Sequence, residues 1–223
     1  MIYPGNNFSF YSLLFKFFNF SLRSISINTI FFLFIAIVNR SCLICKVFTN
    51  IIKIFLNKGS SFGSNHLTTK LIADAIISID EENRSTALDI GCGSGILTIL
   101  LFKLKYRQIK SIDIDTYVLK EAKKNIISNF GYFPSNISLT DENVHQLNSK
   151  FNLIAINISG NFISNNFKMI SNLLAQGGYL IISGFNCNKE KKFIRLANQN
   201  NLFLDGKFLQ NPWISLVFKK FSI

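Results

Sequence analysis

Seven residues, Asp89-Ile90-Gly91-Cys92-Gly93-Ser94-Gly95, constrain what this chain can fold into more than any other stretch. They follow Ser85-Thr86-Ala87-Leu88, which reads as a short buried parallel strand. They precede the apolar run Ile96 to Leu104, which reads as a helix. Strand, glycine turn and helix in that order build a site for a nucleotide-like ligand at the carboxyl edge of a sheet. Glycines let backbone approach a ligand closely, and the start of the helix offers unpaired N–H groups. The spacing excludes one reading. Counted from Gly91, the third glycine of the dinucleotide fingerprint G-x-G-x-x-G falls on Ile96, so a nicotinamide-dependent dehydrogenase is disfavoured. What remains is an acid two positions before G-x-G-x-G.

That arrangement resembles the first motif of the class I methyltransferases, which bind S-adenosylmethionine (SAM). The rest of the chain agrees in its rhythm. Strands are expected at Ala87 to Ile90, Ile109 to Ile114, Ile137 to Leu139, Leu153 to Asn157 and Tyr179 to Ser183. Helices fit at Leu67 to Ile79, Ile96 to Lys105, Val118 to Asn129, Ser164 to Leu174 and Glu190 to Asn200. The last pieces, Phe203 to Leu209 and Trp213 to Lys219, read as a terminal hairpin. Strands separated by helices give an α/β fold with a Rossmann-like, doubly wound and mostly parallel sheet. A closing antiparallel hairpin is what the class I methyltransferase fold adds to that plan. Residues 59–223 are assigned to this domain.

SAM asks for room at its methionine end, a ribose clamp and an adenine slot. The resemblance places Gly91, Gly93 and Gly95 at the first, with Asp89 accepting from the methionine amino group directly or through water. Asp113 closes the strand Ile109-Lys110-Ser111-Ile112-Asp113, 20 residues after Gly93, where a carboxylate can accept from both ribose hydroxyls. Asp115 shares its face by strand alternation and competes for that role. Asp113 is preferred, because Asp115 is better placed to begin the turn and cap the next helix. For adenine, Thr140-Asp141-Glu142 follows the third strand, and Asp141 could accept from the exocyclic amine. The fourth strand ends in Ile156-Asn157-Ile158-Ser159-Gly160. A polar amide there faces the transferred methyl in this architecture, so Asn157 is both the candidate catalytic residue, orienting an incoming amine, and a cofactor contact. Capping of the following turn is its structural alternative. No Pro-Pro-Tyr or Pro-Pro-Phe follows it, which lowers glutamine and adenine-amino acceptors.

Further segments narrow the resemblance. Ser61-Phe62-Gly63-Ser64-Asn65-His66-Leu67-Thr68-Thr69-Lys70-Leu71 is similar to the A-F-G-T-G-T-H-P-T-T-R-L segment of the PrmA-type ribosomal protein methyltransferases. In that family the segment lies before the domain and closes over SAM, which makes Thr68 a further cofactor candidate. Ala87 to Leu97, Ile112 to Asp115, Ala155 to Ile158, Gly177 to Gly184 and Pro212 to Phe218 are similar in the same order. This chain departs from the family where the Phe62 to Thr69 segment is one residue shorter, where Leu67 replaces proline and where Thr116 replaces the proline after D-I-D. The resemblance implies SAM as cofactor and N-methylation of a protein amine, such as a lysine of a ribosomal protein. A lysine has a reference pKa near 10.4 and must lose a proton before attacking. His145 reads as solvated, His66 belongs to the closing segment, and loss of the proton through water would suffice.

The N-terminal region is of another character. The formal charge is +12, and residues 1–73 contain no Asp or Glu. A basic surface suits RNA, ribosomes or lipid headgroups, although an Ile/Asn/Lys/Phe-rich composition produces it by default. Residues 1–58 are apolar, Phe-rich and basic, and too short for the mixed N-terminal domain of the PrmA family. The longest clean apolar run, Ile30 to Val38, is far below the roughly 20 residues of a membrane span. From Cys42 to Leu56 the apolar residues nearly form a helical stripe. A helical subdomain packed on the catalytic domain is the first expectation, with a membrane-surface anchor and a targeting segment as alternatives. Cys42-Leu43-Ile44-Cys45 has no second pair or histidine to complete a metal site, so no metal is expected and the thiols read as reduced in a cytoplasmic protein. Two other functions stay open at this point: SAM-dependent methylation of RNA or a small metabolite, and a noncatalytic membrane-associated paralogue.

Overall fold

The computed structural model describes residues 42–47, 50–56, 66–79 and 84–221. The order along the chain is β1 (Cys42–Val47), β2 (Asn50–Phe55), α1 (Leu67–Ser78), β3 (Thr86–Ile90), α2 (Ile96–Lys103), β4 (Gln108–Ile112), α3 (Thr116–Phe130), β5 (Ile137–Thr140), β6 (Phe151–Asn157), α4 (Gly160–Asn172), β7 (Leu174–Asn186), α5 (Glu190–Asn198), β8 (Leu202–Gln210) and β9 (Trp213–Lys220). Seven of the strands make one sheet in the order β5-β4-β3-β6-β7-β9-β8. Neighbours from β5 to β7 run parallel, while β9 pairs antiparallel with both β7 and β8. The Rossmann-like sheet with its closing hairpin is therefore present as expected.

Both faces of the sheet are covered, which is why the middle of β6, Leu153 to Ile156, is apolar and buried at every position rather than at alternate ones. In β6, Leu153 and Ala155 join a core with Ile72 of α1, Leu100 of α2 and Ile126 of α3. Ile154 and Ile156, pointing the other way, join Phe167 of α4 and Phe193 of α5. The strand order reverses at β3, which lies between β4 and β6. In such sheets a crevice opens at that switch point, outside the carboxyl ends of the strands.

Two elements differ from expectation. The stripe over Cys42 to Leu56 is not a helix; it is the antiparallel hairpin β1–β2, with Val47 opposite Asn50 and Cys42 opposite Phe55. The physical reason shows in its second half. Ile54 and Leu56 are buried and Ile52 is half-buried, while Lys53 and Phe55 between them are exposed. That is the period of two of a strand, and β-branched isoleucines favour it. The Asn129 side chain clasps the end of this hairpin, accepting from Phe55 N–H at 3.0 Å and donating to Phe55 C=O at 2.6 Å. Ile54 and Leu56 belong to the same core cluster as α1 and α2. A boundary after residue 58 thus cuts through one packed core. The remaining expectations for residues 1–41 lie outside the described residues. The second difference is β7, which extends over 13 residues instead of the five around Tyr179 to Ser183. Its pairing with β9 shifts register between Ile182 and Phe185, at Gly184. Among the described residues no helix is long and apolar enough to cross a membrane.

Candidate active site

At the carboxyl edge of β3, β4, β6 and β7 lies a cleft with two lobes. The larger, of about 490 Å³, is lined by His66, Thr68, Gly91, Gly93, Val118, Asn157, Gly184 and Trp213 among others. The smaller, of about 260 Å³, is lined by Ile90, Ile112, Glu142, Asn143, Val144 and Phe162 among others. Gly91, Asp113, Ile158 and Ser159 belong to both. The larger lobe by itself has the dimensions of a small-molecule site, which fall in the range of roughly 300–1,000 Å³.

The glycines of the turn divide into two roles. Gly93 stands at φ 53°, and a methyl group added there would meet nothing nearer than the Gly91 carbonyl oxygen at 4.0 Å. Its open side faces the larger lobe, so the missing side chain is space for a ligand. Gly95 stands at φ 77° and begins α2, but lines neither lobe. A methyl group there would lie 3.1 Å from the Ala122 Cβ, so Gly95 lets α3 pack closely against the turn.

Asp113 and Asp115 are separated by their hydrogen bonds. Asp115 Oδ1 caps α3, accepting from Tyr117 N–H at 2.8 Å and Val118 N–H at 3.4 Å. Asp113 lines both lobes; its Oδ2 accepts from Gly93 N–H at 3.0 Å and its Oδ1 from Asp115 N–H at 3.1 Å. A carboxylate offers about four acceptor positions, so each oxygen keeps one for a ligand. Asp89 has a different setting. It is buried and lines neither lobe. Thr98 Oγ1 donates to its Oδ2 at 2.7 Å and sits 2.8 Å from Ser111 Oγ. Its Oδ1 has no partner among the described residues. Burial pushes the Asp89 carboxyl up to about 7, partly opposed by the Thr98 hydrogen bond. Burial, together with the nearby Asp89 and Asp113, raises the Cys92 thiol far above its ordinary value.

Asp141 also falls outside the lining, on an exposed turn. Its neighbours Glu142, Asn143 and Val144 face the smaller lobe instead. Glu142 is paired with Lys110 across the β4–β5 edge, and that pairing lowers its carboxyl pKa. Asn143 caps a single turn at Val144–Gln146, accepting from His145 N–H at 3.0 Å.

Asn157 sits at the end of β6 in the larger lobe. Its Nδ2 donates to the Thr69 hydroxyl at 3.2 Å, and its buried Oδ1 has no partner among the described residues. Thr68 is brought beside it by the start of α1, where His66 is the cap: its Nδ1 accepts from Thr68 N–H at 3.3 Å and lies 2.8 Å from Thr68 Oγ1. The His66 ring meets Trp213 edge to face, with centroids 5.3 Å apart. Trp213, Thr69 and Ile158 are site residues that the residue patterns did not single out. Nothing local in the sequence could place Trp213 here; it arrives because Trp213 pairs with Asn186 at the end of β7.

The whole sheet and cleft have known counterparts. Residues 36–221 match the family described as ribosomal protein L11 methyltransferase (PrmA). The ribosomal protein L11 methyltransferase of Lactococcus lactis subsp. lactis is 30% identical over 166 residues, 74% of this chain and 52% of that protein. That of Staphylococcus haemolyticus is 32% identical over 176 residues, 75% of this chain and 53% of that protein. The chain spans about half the length of the curated relatives it matches. Among solved structures, ribosomal protein L11 methylase from Lactobacillus delbrueckii subsp. bulgaricus superimposes with a TM-score of 0.65 at 27% identity, covering 72% of this chain and 82% of that one. Magnesium protoporphyrin IX methyltransferase from Synechocystis with bound SAM, at TM-score 0.56 and 16% identity, shares the fold over 71% of this chain and 86% of that one. The family match takes in the β1–β2 hairpin, α1 and every strand of the sheet, and with it this chain belongs to the ribosomal protein L11 methyltransferase (PrmA) family.

Proposed function

We propose that this chain is a SAM-dependent methyltransferase that N-methylates an amine of a ribosomal protein, with L11, named for its relatives, as the first acceptor to test. The observation that carries the reading is Asn157. The residue lines the larger lobe, its amide nitrogen is held by Thr69, and its buried oxygen has no partner among the described residues. An unmade hydrogen bond of this kind costs about 1–3 kcal/mol, which a donor entering the cleft would recover. An uncharged amine has such a donor and a lone pair directed away from it, so Asn157 orients the nucleophile.

The chain's own residues fit the cofactor. Gly93 leaves space for a close backbone approach, and Asp113 keeps acceptor positions for two ribose hydroxyls. Asp115 is engaged in its cap, which favours Asp113 as the clamp. Glu142 and Asn143 line the smaller lobe and Asp141 does not, which supports the former pair as partners of the adenine edge. His66, Thr68 and Trp213 wall the larger lobe and limit water there. Asp89 supports the turn through Thr98 in place of direct contact. When bound, SAM supplies a methyl group made electrophilic by its sulfonium. Positioning and exclusion of water are then the protein's main contributions.

Calorimetric titration with SAM and transfer of a radiolabelled methyl to purified ribosomal protein, RNA and small-molecule fractions test the proposal together. Binding with label in protein supports it. Absence of binding at millimolar SAM defeats the cofactor assignment, and label confined to RNA defeats the acceptor assignment.

A further inference from the structure

A second groove is formed by two of the elements that also wall the cleft. It has a volume of about 430 Å³ and runs between α1 and the tip of the β8–β9 hairpin, lined by Leu67, Lys70, Leu71, Asp74, Phe208, Leu209 and Gln210. Its two walls are chain neighbours of cleft residues. Leu67 adjoins His66 and Thr68 at the start of α1, and Gln210 lies three residues before Trp213. Leu67, Leu71, Phe208 and Leu209 give the groove apolar surface beside the polar Lys70, Asp74 and Gln210, and Leu209 is 53% exposed at its lip.

Asp74 is the unusual group. Its Oδ1 is buried and has no hydrogen-bond partner among the described residues. Lys70, one turn earlier, acts on it through its field, but no ion pair joins them. Burial holds the Asp74 carboxyl up to about 7, so the groove keeps an acid in a setting that disfavours its charge. A cation entering the groove would reverse that balance. Leu67, Leu71, Phe208 and Leu209 match the methylene stem of a long basic side chain, and Asp74 matches its head.

We propose that this groove receives a lysine or arginine side chain of the polypeptide methyl acceptor, next to the amine presented at Asn157. The inference rests on the methyltransferase reading given above and adds a substrate preference to it. Asp74 lies about 9 Å down α1 from Thr68 at 1.5 Å per residue. An extended chain covers that span in about three residues. The acceptor amine and the basic anchor should therefore be close neighbours in one segment of the substrate.

Fluorescence anisotropy with the full chain tests this. The probes are labelled decapeptides carrying one acceptor lysine and, three positions to either side, arginine, alanine or glutamate. The arginine peptides should bind about tenfold more tightly than the alanine peptides, the effect of one charge-assisted contact. Asp74→Asn should reduce the difference to within about twofold, and Gln210→Lys, which adds a competing cation at an exposed lip position, should do the same. Gln210→Lys serves as the test if the Asp74 variant fails to fold. Equal binding of arginine and alanine peptides by the wild type overturns the proposal. So does a preference that survives both substitutions, or tighter binding of the glutamate peptides, which would make Lys70 the recognising group. SAM titration of the same preparation separates the two levels. If SAM binds and the peptides are not discriminated, the groove proposal alone fails; if SAM does not bind, the underlying assignment fails.

Discussion

At the scale of single residues, the site depends on two polar side chains at strand ends and on where glycine is required. Asn157→Ala should lower turnover on the amine acceptor by about 100-fold, the usual size of losing one well-placed polar group. SAM affinity should change only a few-fold, which calorimetry alongside single-turnover kinetics would separate. Asp113→Ala should show the opposite division. It removes two prospective charge-assisted contacts and the brace on Gly93 N–H, so SAM should bind about 10- to 100-fold more weakly. Gly95→Ala should destabilise the fold by about 1–3 kcal/mol through its positive φ and the contact with Ala122, seen as a lower urea midpoint. Much of this was legible in the sequence. The glycine turn, Asp113 at a strand end and Asn157 are each signalled by local pattern. The geometry of Asp141 and Asp89 was not, because the direction of a side chain beyond a strand depends on turns and burial that no spacing encodes. Asp141 turns outward one residue before Glu142 turns in. Asp89 is enclosed by Thr98 and Ser111, which come from two different elements.

At the scale of elements, the lesson is in the hairpins. Cys42 to Leu56 has an apolar content that suits either a stripe on a helix or one face of a strand pair. The choice is made by what it packs on: Ile54 is fully buried in the core shared with α1 and α2, and Lys53 and Phe55 face outward. Ile54→Ala should cost about 2–4 kcal/mol, the range for truncating a buried aliphatic side chain, and lower the melting temperature of the whole domain rather than of a separate unit. Such a joint transition by calorimetry and by circular dichroism would show that the hairpin folds with the sheet. The β8–β9 hairpin is present where the sequence and the resemblance to class I methyltransferases predict one. Its part in the cleft is not legible there, since Trp213 reaches the cleft only through pairing with β7.

At the scale of the whole molecule, two buried carboxyls couple folding to pH. Asp74 and Asp89 are both held up to about 7 by burial, against about 3.9 in an unfolded chain. Between those values the folded protein keeps protons that the unfolded chain has released. Their contribution to stability is thus fully present below about pH 4 and is lost as pH rises through about 7. Denaturant midpoints measured from pH 5 to 8 should fall, and Asp89→Asn should flatten the fall; a slope unchanged in the variant would refute the assignment. The sequence by itself determined the α/β alternation, the sheet with its closing hairpin and the glycine turn, because these follow from hydrophobic period and turn chemistry between near neighbours. The tertiary structure alone decided which acids face the cleft, that Thr69 holds Asn157 and that Trp213 meets His66. Those contacts join residues far apart in the chain, and only the packed sheet brings them within reach. So the turn at Asp89 to Gly95 identified a ligand site from its own residues, while the walls that complete it come from α1, β6 and the final hairpin.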